Sequence, residues 1–198
     1  MSLLVTEADA AWAKMDLPLT PEEVRGFIEN VERVLRINPC IEFERLLVMP
    51  NGFLSVAGRN DSNNQVFDTE VQFVTDANGI DLVLRYNSGI KRETRFAVAP
   101  CSHGSALTIT EIYDTPSSAE HERRLVEVDR SLVPWAAGLR RHIVQWWRWQ
   151  WLPGYDWFVQ RFWLAMPPRQ RRLAWLIVWT TLMEFVVFLV VMVAYVTS

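Results

Sequence analysis

Residue types that usually mark a chemical function are scarce in this chain of 198 residues. Two cysteines, Cys40 and Cys101, exclude a disulfide framework and a zinc site made of cysteine alone. None of the three histidines belongs to an HExxH or CxxCH arrangement, so no motif supports a metal site. The chain also lacks a glycine-rich loop that would hold phosphate groups. We therefore expect no metal and no cofactor, and we assign no catalytic residue.

Positive charge is scarce in the first two thirds of the chain. Residues 1–130 contain 13 Lys and Arg against 21 Asp and Glu, a balance of −8. Nucleic-acid binding depends on basic contacts to phosphate, so this composition argues against a nucleic-acid partner. Residues 131–198 instead contain seven Arg, two acidic residues and nine of the ten Trp. The two parts of the chain are therefore suited to different solvents.

Residues 173–196 form a long apolar run with one charged residue, Glu184. A helix of about 20 predominantly apolar residues spans a bilayer, so we predict one transmembrane helix here. Arg169, Arg171 and Arg172 precede the run, and cytoplasmic flanks are enriched in Arg and Lys. We therefore expect a single-pass, tail-anchored protein of a bacterial inner membrane, with its N-terminal domain in the cytoplasm. The N-terminal residues do not resemble a secretory signal.

Tryptophan and arginine are concentrated just before this span. Trp rings suit the headgroup boundary of a bilayer, and Arg side chains extend toward lipid phosphates. We predict that residues 151–172 are an amphipathic juxtamembrane segment, with breaks at Pro153-Gly154 and Pro167-Pro168. About a third of the Trp are expected to pack onto the preceding domain instead. The predicted membrane-interface residues are Trp146, Trp147, Trp149, Trp151, Trp157, Trp163, Arg148 and Arg161.

Glu184 lies near the middle of the predicted span. A charged carboxylate at the bilayer centre costs about 2.5–3.5 kcal/mol on insertion scales. One interpretation is that another transmembrane subunit supplies a partner for this acid, since the chain has a single span. The alternative is a protonated carboxyl that bonds to Thr180 or to a backbone carbonyl of its own helix.

The first predicted helix follows a strand at residues 10–17. Thr20, Pro21 and Glu23 occupy the N-cap, N1 and N3 positions of a capping box. Apolar residues then recur at helical spacing until Asn38-Pro39 ends the helix.

About six short strands follow, between residues 41 and 113. Alternation groups Ile41, Phe43 and Leu47 on one face of the first of them, and it favours an antiparallel sheet with one wet face. Polar residues that alternate with apolar neighbours are candidates for lining a cavity, although a register error of one residue would place them outside. These candidates are Thr69, Tyr86, Thr94, Glu111 and Tyr113.

A second helical run is predicted from about Ser118, to cover the sheet. Its apolar stripe continues through Leu132, Trp135, Leu139 and Ile143, and Pro134 predicts a kink or a restart. Helices on one face of an antiparallel sheet make an α+β fold. We take residues 1–150 as this domain.

This order of elements resembles the START/polyketide-cyclase superfamily, often called SRPBCC. The resemblance rests on the turn and helix of residues 19–44, the strands after them, and the helix around residues 131–145. It covers about residues 8–150 and implies a helix-grip fold, in which a curved antiparallel sheet wraps a long C-terminal helix. The resemblance also implies a hydrophobic cavity between the sheet and the long helix, which members use for lipids, sterols, quinones, polyketides or plant hormones. Some are enzymes, many only bind or carry, and some are structural parts.

Two functions are compatible with these features. The first is a membrane-tethered START-like domain that binds a lipid or quinone-like ligand at the cytoplasmic membrane face. The second is a non-catalytic accessory subunit of a larger membrane complex. An enzyme of the cyclase or hydratase kind ranks third, because no acid/base pair stands out. The expected partners are membrane lipids, a hydrophobic small molecule and other transmembrane subunits.

Overall fold

A computed structural model describes residues 10–50, 52–75, 82–89, 91–113 and 130–197. The predicted start of the second helical run at Ser118 lies outside the described residues. Everything below concerns the described ranges.

Seven antiparallel strands form a single sheet, as predicted. Their spatial order is β1-β7-β6-β5-β4-β3-β2, so each strand from β2 onward pairs with the next one in sequence. The first strand instead closes the far edge by pairing with the last, from Ala10 opposite Ile112 to Leu17 opposite Ser105. The bounds are β1 Ala10–Leu17, β2 Ile41–Val48, β3 Phe53–Asn60, β4 Gln65–Thr75, β5 Leu82–Tyr86, β6 Lys91–Cys101 and β7 Gly104–Tyr113.

Two short helices, α1 (Pro21–Ile28) and α2 (Val31–Arg36), connect β1 to β2. The predicted capping box is present, because the Thr20 side chain accepts from the Glu23 backbone while the Glu23 carboxylate accepts from the Thr20 N–H at 2.8 Å. The expectation of one continuous helix is wrong. Asn30 caps a new helix by accepting from the Arg33 N–H at 3.0 Å, which explains the break.

The long helix α3 spans Leu132–Trp149, with Ser131 at its N-cap. Pro134 therefore lies in its first turn, where a missing N–H removes no helical hydrogen bond. The predicted stripe is buried: Trp135 packs edge-on against Phe96 of β6 with ring centroids 5.6 Å apart. The indole N–H of Trp135 also donates to the Val34 carbonyl at 2.9 Å, which fixes α3 to α2.

A β-bulge in β2 overturns one predicted face. The register between β2 and β3 shifts between Phe43 and Arg45, so Leu46 is buried and Leu47 is 57% exposed. The prediction that Leu47 shares a face with Phe43 is therefore wrong, because a bulge reverses the alternation beyond it. Gly58 faces this irregular stretch, and a Cβ there would overlap the Glu42 carbonyl oxygen.

The C-terminal part consists of α4 (Tyr155–Phe158), a π turn (Val159–Trp163) and α5 (Pro168–Thr197). Both predicted breaks are present: Gly154 has a left-handed backbone at φ 85°, and α5 begins at Pro168. Helix α5 has 30 residues. Its most apolar stretch of 18 residues has a mean hydropathy of 2.5, and none of those residues is buried. It is therefore long and apolar enough to cross a membrane.

Candidate ligand-binding cavity

A cavity of about 330 Å³ lies between α2 and the inner surface of the sheet. None of its described lining residues belongs to α3, so it does not lie between the sheet and the long helix, where the resemblance places a cavity. Side chains from α2 and from strands β2, β3 and β4 form its apolar walls. These residues are Leu35, Ile41, Phe43, Val56, Phe67 and Val71. Ligand sites in proteins usually enclose about 300–1,000 Å³ and have mostly apolar walls, so the cavity has ligand size at the small end of that range.

Strands β5, β6 and β7 contribute polar side chains to the same cavity. Tyr86, Lys91 and Tyr113 all line it. The Tyr86 hydroxyl lies 3.2 Å from the hydroxyl oxygen of Thr94, which is fully buried behind it. The ammonium group of Lys91 lies 6.0 Å from the centre of the Tyr86 ring. One cation and two phenol groups therefore lie on one side of the cavity, and its remaining polar lining residues are Asn60, Asn63, Gln65, Asp68, Thr69 and Ser88.

Glu111 holds two of these polar side chains in place. It is fully buried, and it accepts a hydrogen bond from the Tyr113 hydroxyl at 2.6 Å and forms an ion pair with Lys91. A buried carboxylate is tolerated only when charged or hydrogen-bonding partners surround it. Glu111 thus fixes the side chains of Lys91 and Tyr113, two residues that line the cavity.

The predicted cavity candidates divide into two groups. Thr69, Tyr86 and Tyr113 line the cavity, whereas Thr94 and Glu111 lie behind residues that do. Thr69 also accepts from the Ser88 backbone N–H at 3.2 Å. That these residues bind a ligand stays a prediction.

Sequence reasoning missed Lys91. If inward and outward side chains alternated strictly from Thr94 toward the start of β6, position 92 would face inward and Lys91 would face outward. The register of β6 against β7 shifts between Lys91 and Glu93, and this irregularity brings Lys91 to the cavity instead. The pairing of Lys91 with Tyr113 and of Thr94 with Glu111 then assembles the polar group across neighbouring strands.

The predicted membrane-interface residues have two kinds of environment. Trp146 packs edge-on against Phe27 at 5.5 Å, and Trp163 packs against Trp175 at 6.1 Å. The others are exposed, and their role at a membrane stays a prediction; they are Trp147, Trp149, Trp151, Trp157, Arg148 and Arg161.

Glu184 is exposed on the surface of α5. It makes no hydrogen bond or ion pair with any residue that the structure describes. Thr180 donates to the Leu176 and Ile177 carbonyls rather than to this acid. The contact of Glu184 with a partner helix stays a prediction.

Solved structures with this fold come from several bacteria. A protein of Thermus thermophilus superposes with a TM-score of 0.55 at 14% identity, over 69% of this chain and 97% of that one. A conserved protein of Geobacillus kaustophilus gives 0.52 at 14% identity, over 69% and 96%. The Zhui aromatase/cyclase of a Streptomyces species gives 0.51 at 9% identity, over 74% and 97%.

These identities are low, so the similarity concerns the fold alone. No protein-family model and no curated protein matches the sequence. One of these neighbours is an aromatase/cyclase, so the likeness agrees with the fold that the sequence resemblance implies. The chain therefore has a helix-grip-like α+β fold, similar to those of these proteins, and a candidate membrane span follows it.

Proposed function

We propose that this protein binds an apolar small molecule with one polar end, such as a lipid or a quinone-like compound, beside a membrane. The observation that carries the proposal is the cavity itself. Apolar walls of Phe43, Val56, Phe67 and Val71 meet a polar group that is centred on Lys91. This combination matches a ligand that has an apolar body and an oxygen-bearing end.

The dimensions and donors of the cavity narrow the ligand class. A volume of about 330 Å³ suits a ring system or a single chain better than a phospholipid with two acyl chains. The Lys91 ammonium and the Tyr86 hydroxyl can donate hydrogen bonds to a carbonyl, phenol or carboxylate oxygen of the ligand. Such bonds fix orientation, while the apolar walls provide most of the binding free energy.

The membrane part of the proposal rests on α5. Its apolar surface is unburied along the most apolar window, which suits a lipid environment. Arg169, Arg171 and Arg172 precede that window and favour a cytoplasmic location for the sheet domain. A ligand that partitions into the membrane would then reach the cavity from the adjoining leaflet.

Native mass spectrometry of the full chain, extracted from its own membrane in mild detergent, tests the binding proposal. We expect a discrete small-molecule adduct on the wild-type chain. Val56→Phe should remove it, since Val56 is 4% exposed and lines the cavity. Val133→Phe is the matched control, because Val133 is 72% exposed on α3. Equal adducts on both variants, or none on the wild type, would reject the proposal.

An accessory subunit of a membrane complex is the second candidate, and Glu184 is the observation that favours it. An acid without a described partner on an exposed apolar helix suits pairing with another transmembrane helix. Glu184→Leu should then release co-purifying subunits, whereas Val186→Leu on the same helix should retain them. Identical co-purification of the two variants would rule out this candidate.

A further inference from the structure

A second concave surface lies between α2 and the segment that contains α4 and the π turn. We call it the α2 groove; its volume is about 690 Å³. Three arginines line it, Arg33 and Arg36 from α2 and Arg161 from the π turn. None of its lining residues belongs to the ligand cavity, so the two sites are separate.

The α2 groove keeps cationic hydrogen-bond donors available. Glu32 and Asp156 also line it, so its ionised side chains carry a net charge of one positive unit. The Arg36 Nε donates to Glu32 at 2.9 Å, and the Arg33 Nη1 lies 3.7 Å from Asp156. Arg161 makes no hydrogen bond or ion pair with any residue in the described ranges. Each guanidinium has five N–H donors, and the two acids occupy only part of them.

Arg33 is the least ordinary of the three arginines. Only 8% of it is exposed, its Nη2 donates to the Phe27 carbonyl at 2.8 Å, and its guanidinium lies 3.8 Å from the Phe27 ring centre. Its Nε is buried without a hydrogen-bond partner among the described residues. Burial lowers the pKa of Arg33, and the charge of Asp156 opposes that effect only in part. An anion bound in the groove would stabilise the buried positive charge of Arg33.

The α2 groove lies beside the start of the candidate membrane span. Arg171, in the first turns of α5, donates through Nη2 to the Arg36 carbonyl at 2.8 Å and through Nε to the Met166 carbonyl at 2.9 Å. Because Arg36 lines the groove, this hydrogen bond ties one wall of the groove directly to α5.

Exposed aromatic side chains border the same groove. Trp157 lines it and is 63% exposed, and its ring lies 5.3 Å from that of Phe162. Phe158 stacks on Phe162 at 5.8 Å, and both are about half exposed. A polar, arginine-rich groove therefore adjoins an apolar aromatic surface at the membrane side of the molecule, which is the distribution of a charged headgroup and an acyl chain.

We propose that the α2 groove binds a phosphate group, and that an anionic phospholipid of the adjoining leaflet supplies it. Arg36 and Arg161 contact the phosphate oxygens from two sides, and Arg33 provides a buried positive charge behind them. The acyl chains lie along Trp157, Phe158 and Phe162. This site is distinct from the cavity and takes a ligand of different chemistry.

The test is native mass spectrometry of the purified full chain in a mild zwitterionic detergent. Dioleoylphosphatidylglycerol and dioleoylphosphatidylcholine are added separately, and the apparent dissociation constant of the first bound lipid is measured. The wild type should bind the phosphatidylglycerol more tightly. The double variant R36Q/R161Q should weaken that binding by roughly tenfold, the loss expected from removing charge-assisted hydrogen bonds. Arg161→Gln alone, at an exposed position, should give a smaller loss without a risk to folding.

Arg148→Gln is the matched control, because Arg148 is exposed on α3 and does not line the groove. It removes the same charge and should leave the dissociation constant unchanged. Equal binding of both lipids, or an equal loss in the control and the double variant, would overturn the proposal.

Inorganic phosphate, added as a competitor, identifies the source of the phosphate group. Retention of phosphatidylglycerol in its presence supports the lipid. Complete displacement by inorganic phosphate, dependent on Arg36 and Arg161, would overturn the lipid assignment in favour of a free phosphate ligand.

Discussion

The sheet domain and the helix α5 use the same apolar residue types in opposite ways. In the domain, Phe27, Phe96 and Leu139 are completely buried. In α5, Leu189 is 45% exposed and Tyr195 is 81% exposed. Burial of apolar surface stabilises a protein in water by about 25 cal/mol per Å². The domain obtains this contribution internally, whereas α5 needs lipid or another helix to cover its surface.

Carboxylates show the same contrast. Glu111 is buried in the domain, but Lys91 and Tyr113 surround it. Glu184 lies on an apolar helix, and the described residues provide it with no partner. Glu111 is therefore paired within the domain, whereas the described residues leave the Glu184 carboxylate unpaired on an apolar helix, where a charge is costly in a membrane. The following predictions test this comparison, from the largest expected effect to the smallest.

The largest difference in stability is expected between substitutions of two leucines, one in the domain and one in α5. Leu139→Ala should destabilise the domain by about 2–5 kcal/mol, because it removes a buried side chain and leaves a cavity. Leu189→Ala should leave the melting temperature of the domain unchanged, since Leu189 is exposed on α5. Thermal unfolding of both full-length variants in the same detergent, followed by near-ultraviolet circular dichroism, measures the difference. Equal melting temperatures of the two variants would contradict the claim that the domain buries its apolar side chains internally whereas α5 does not.

The next largest loss of stability is expected when the ion pair between Lys91 and Glu111 is broken. Lys91→Met should destabilise the domain by about 3 kcal/mol, because it leaves a buried carboxylate without its cation. The double variant K91M/E111L should recover most of that loss, since both charges are then absent. Denaturant unfolding of the single and double variants measures this coupling. Additive losses would show that the two side chains act independently.

His142 lies where the two regions meet and makes stability depend on pH. Burial, and then the positive charges of Arg33 and Arg171, lower its pKa from 6.5 to about 4, while Asp156 acts in the opposite direction. The unfolded chain therefore binds a proton below pH 6.5 that the folded chain accepts only near pH 4.

The stability of the domain should consequently fall as pH decreases from 6.5 to about 4, and this residue has no effect above that window. The loss should reach about 3 kcal/mol, from about 1.4 kcal/mol for each pKa unit. His142→Gln should remove this part of the dependence, which denaturant unfolding at several pH values measures. An identical pH profile for the variant would contradict the assignment.

The smallest effect concerns an exposed ion pair of the sheet. The Arg45 Nη2 atom lies 2.5 Å from the Asp68 Oδ1 atom, and the two side chains are 43% and 68% exposed. Arg45→Ala should change the free energy of unfolding by less than about 1 kcal/mol, because water screens exposed charges. A loss as large as that of Lys91→Met, in the same unfolding assay, would show that exposure does not separate these two pairs.

Local patterns in the sequence predict much of this fold. The Thr20 capping box, the stripe of α3 and the two proline breaks depend on neighbours within a few residues, so periodicity reveals them. The apolar run of α5 depends on composition and length alone.

The remaining features depend on irregularities or on distant residues. Bulges reverse the faces of Leu47 and Lys91, and one extra residue in a strand leaves no mark in the alternation. The α2 groove combines Arg33 with Arg161, which lie far apart in sequence, so only the folded chain brings them together. Predicted cavity residues Tyr86 and Tyr113 line the cavity because no irregularity separates them from the predicted register.

Photocrosslinking from inside the cavity tests the central claim most directly. Phe67 lines the cavity and packs edge-on against Phe43 at 6.3 Å, so p-benzoylphenylalanine at position 67 places a reactive group against any occupant. The same residue at position 12, where Trp12 is 68% exposed, is the control. After irradiation in the native membrane, mass spectrometry should find a small apolar molecule attached at position 67 and absent at position 12. Attachment of a polypeptide at position 67, or the same products at both positions, would contradict a ligand-binding cavity.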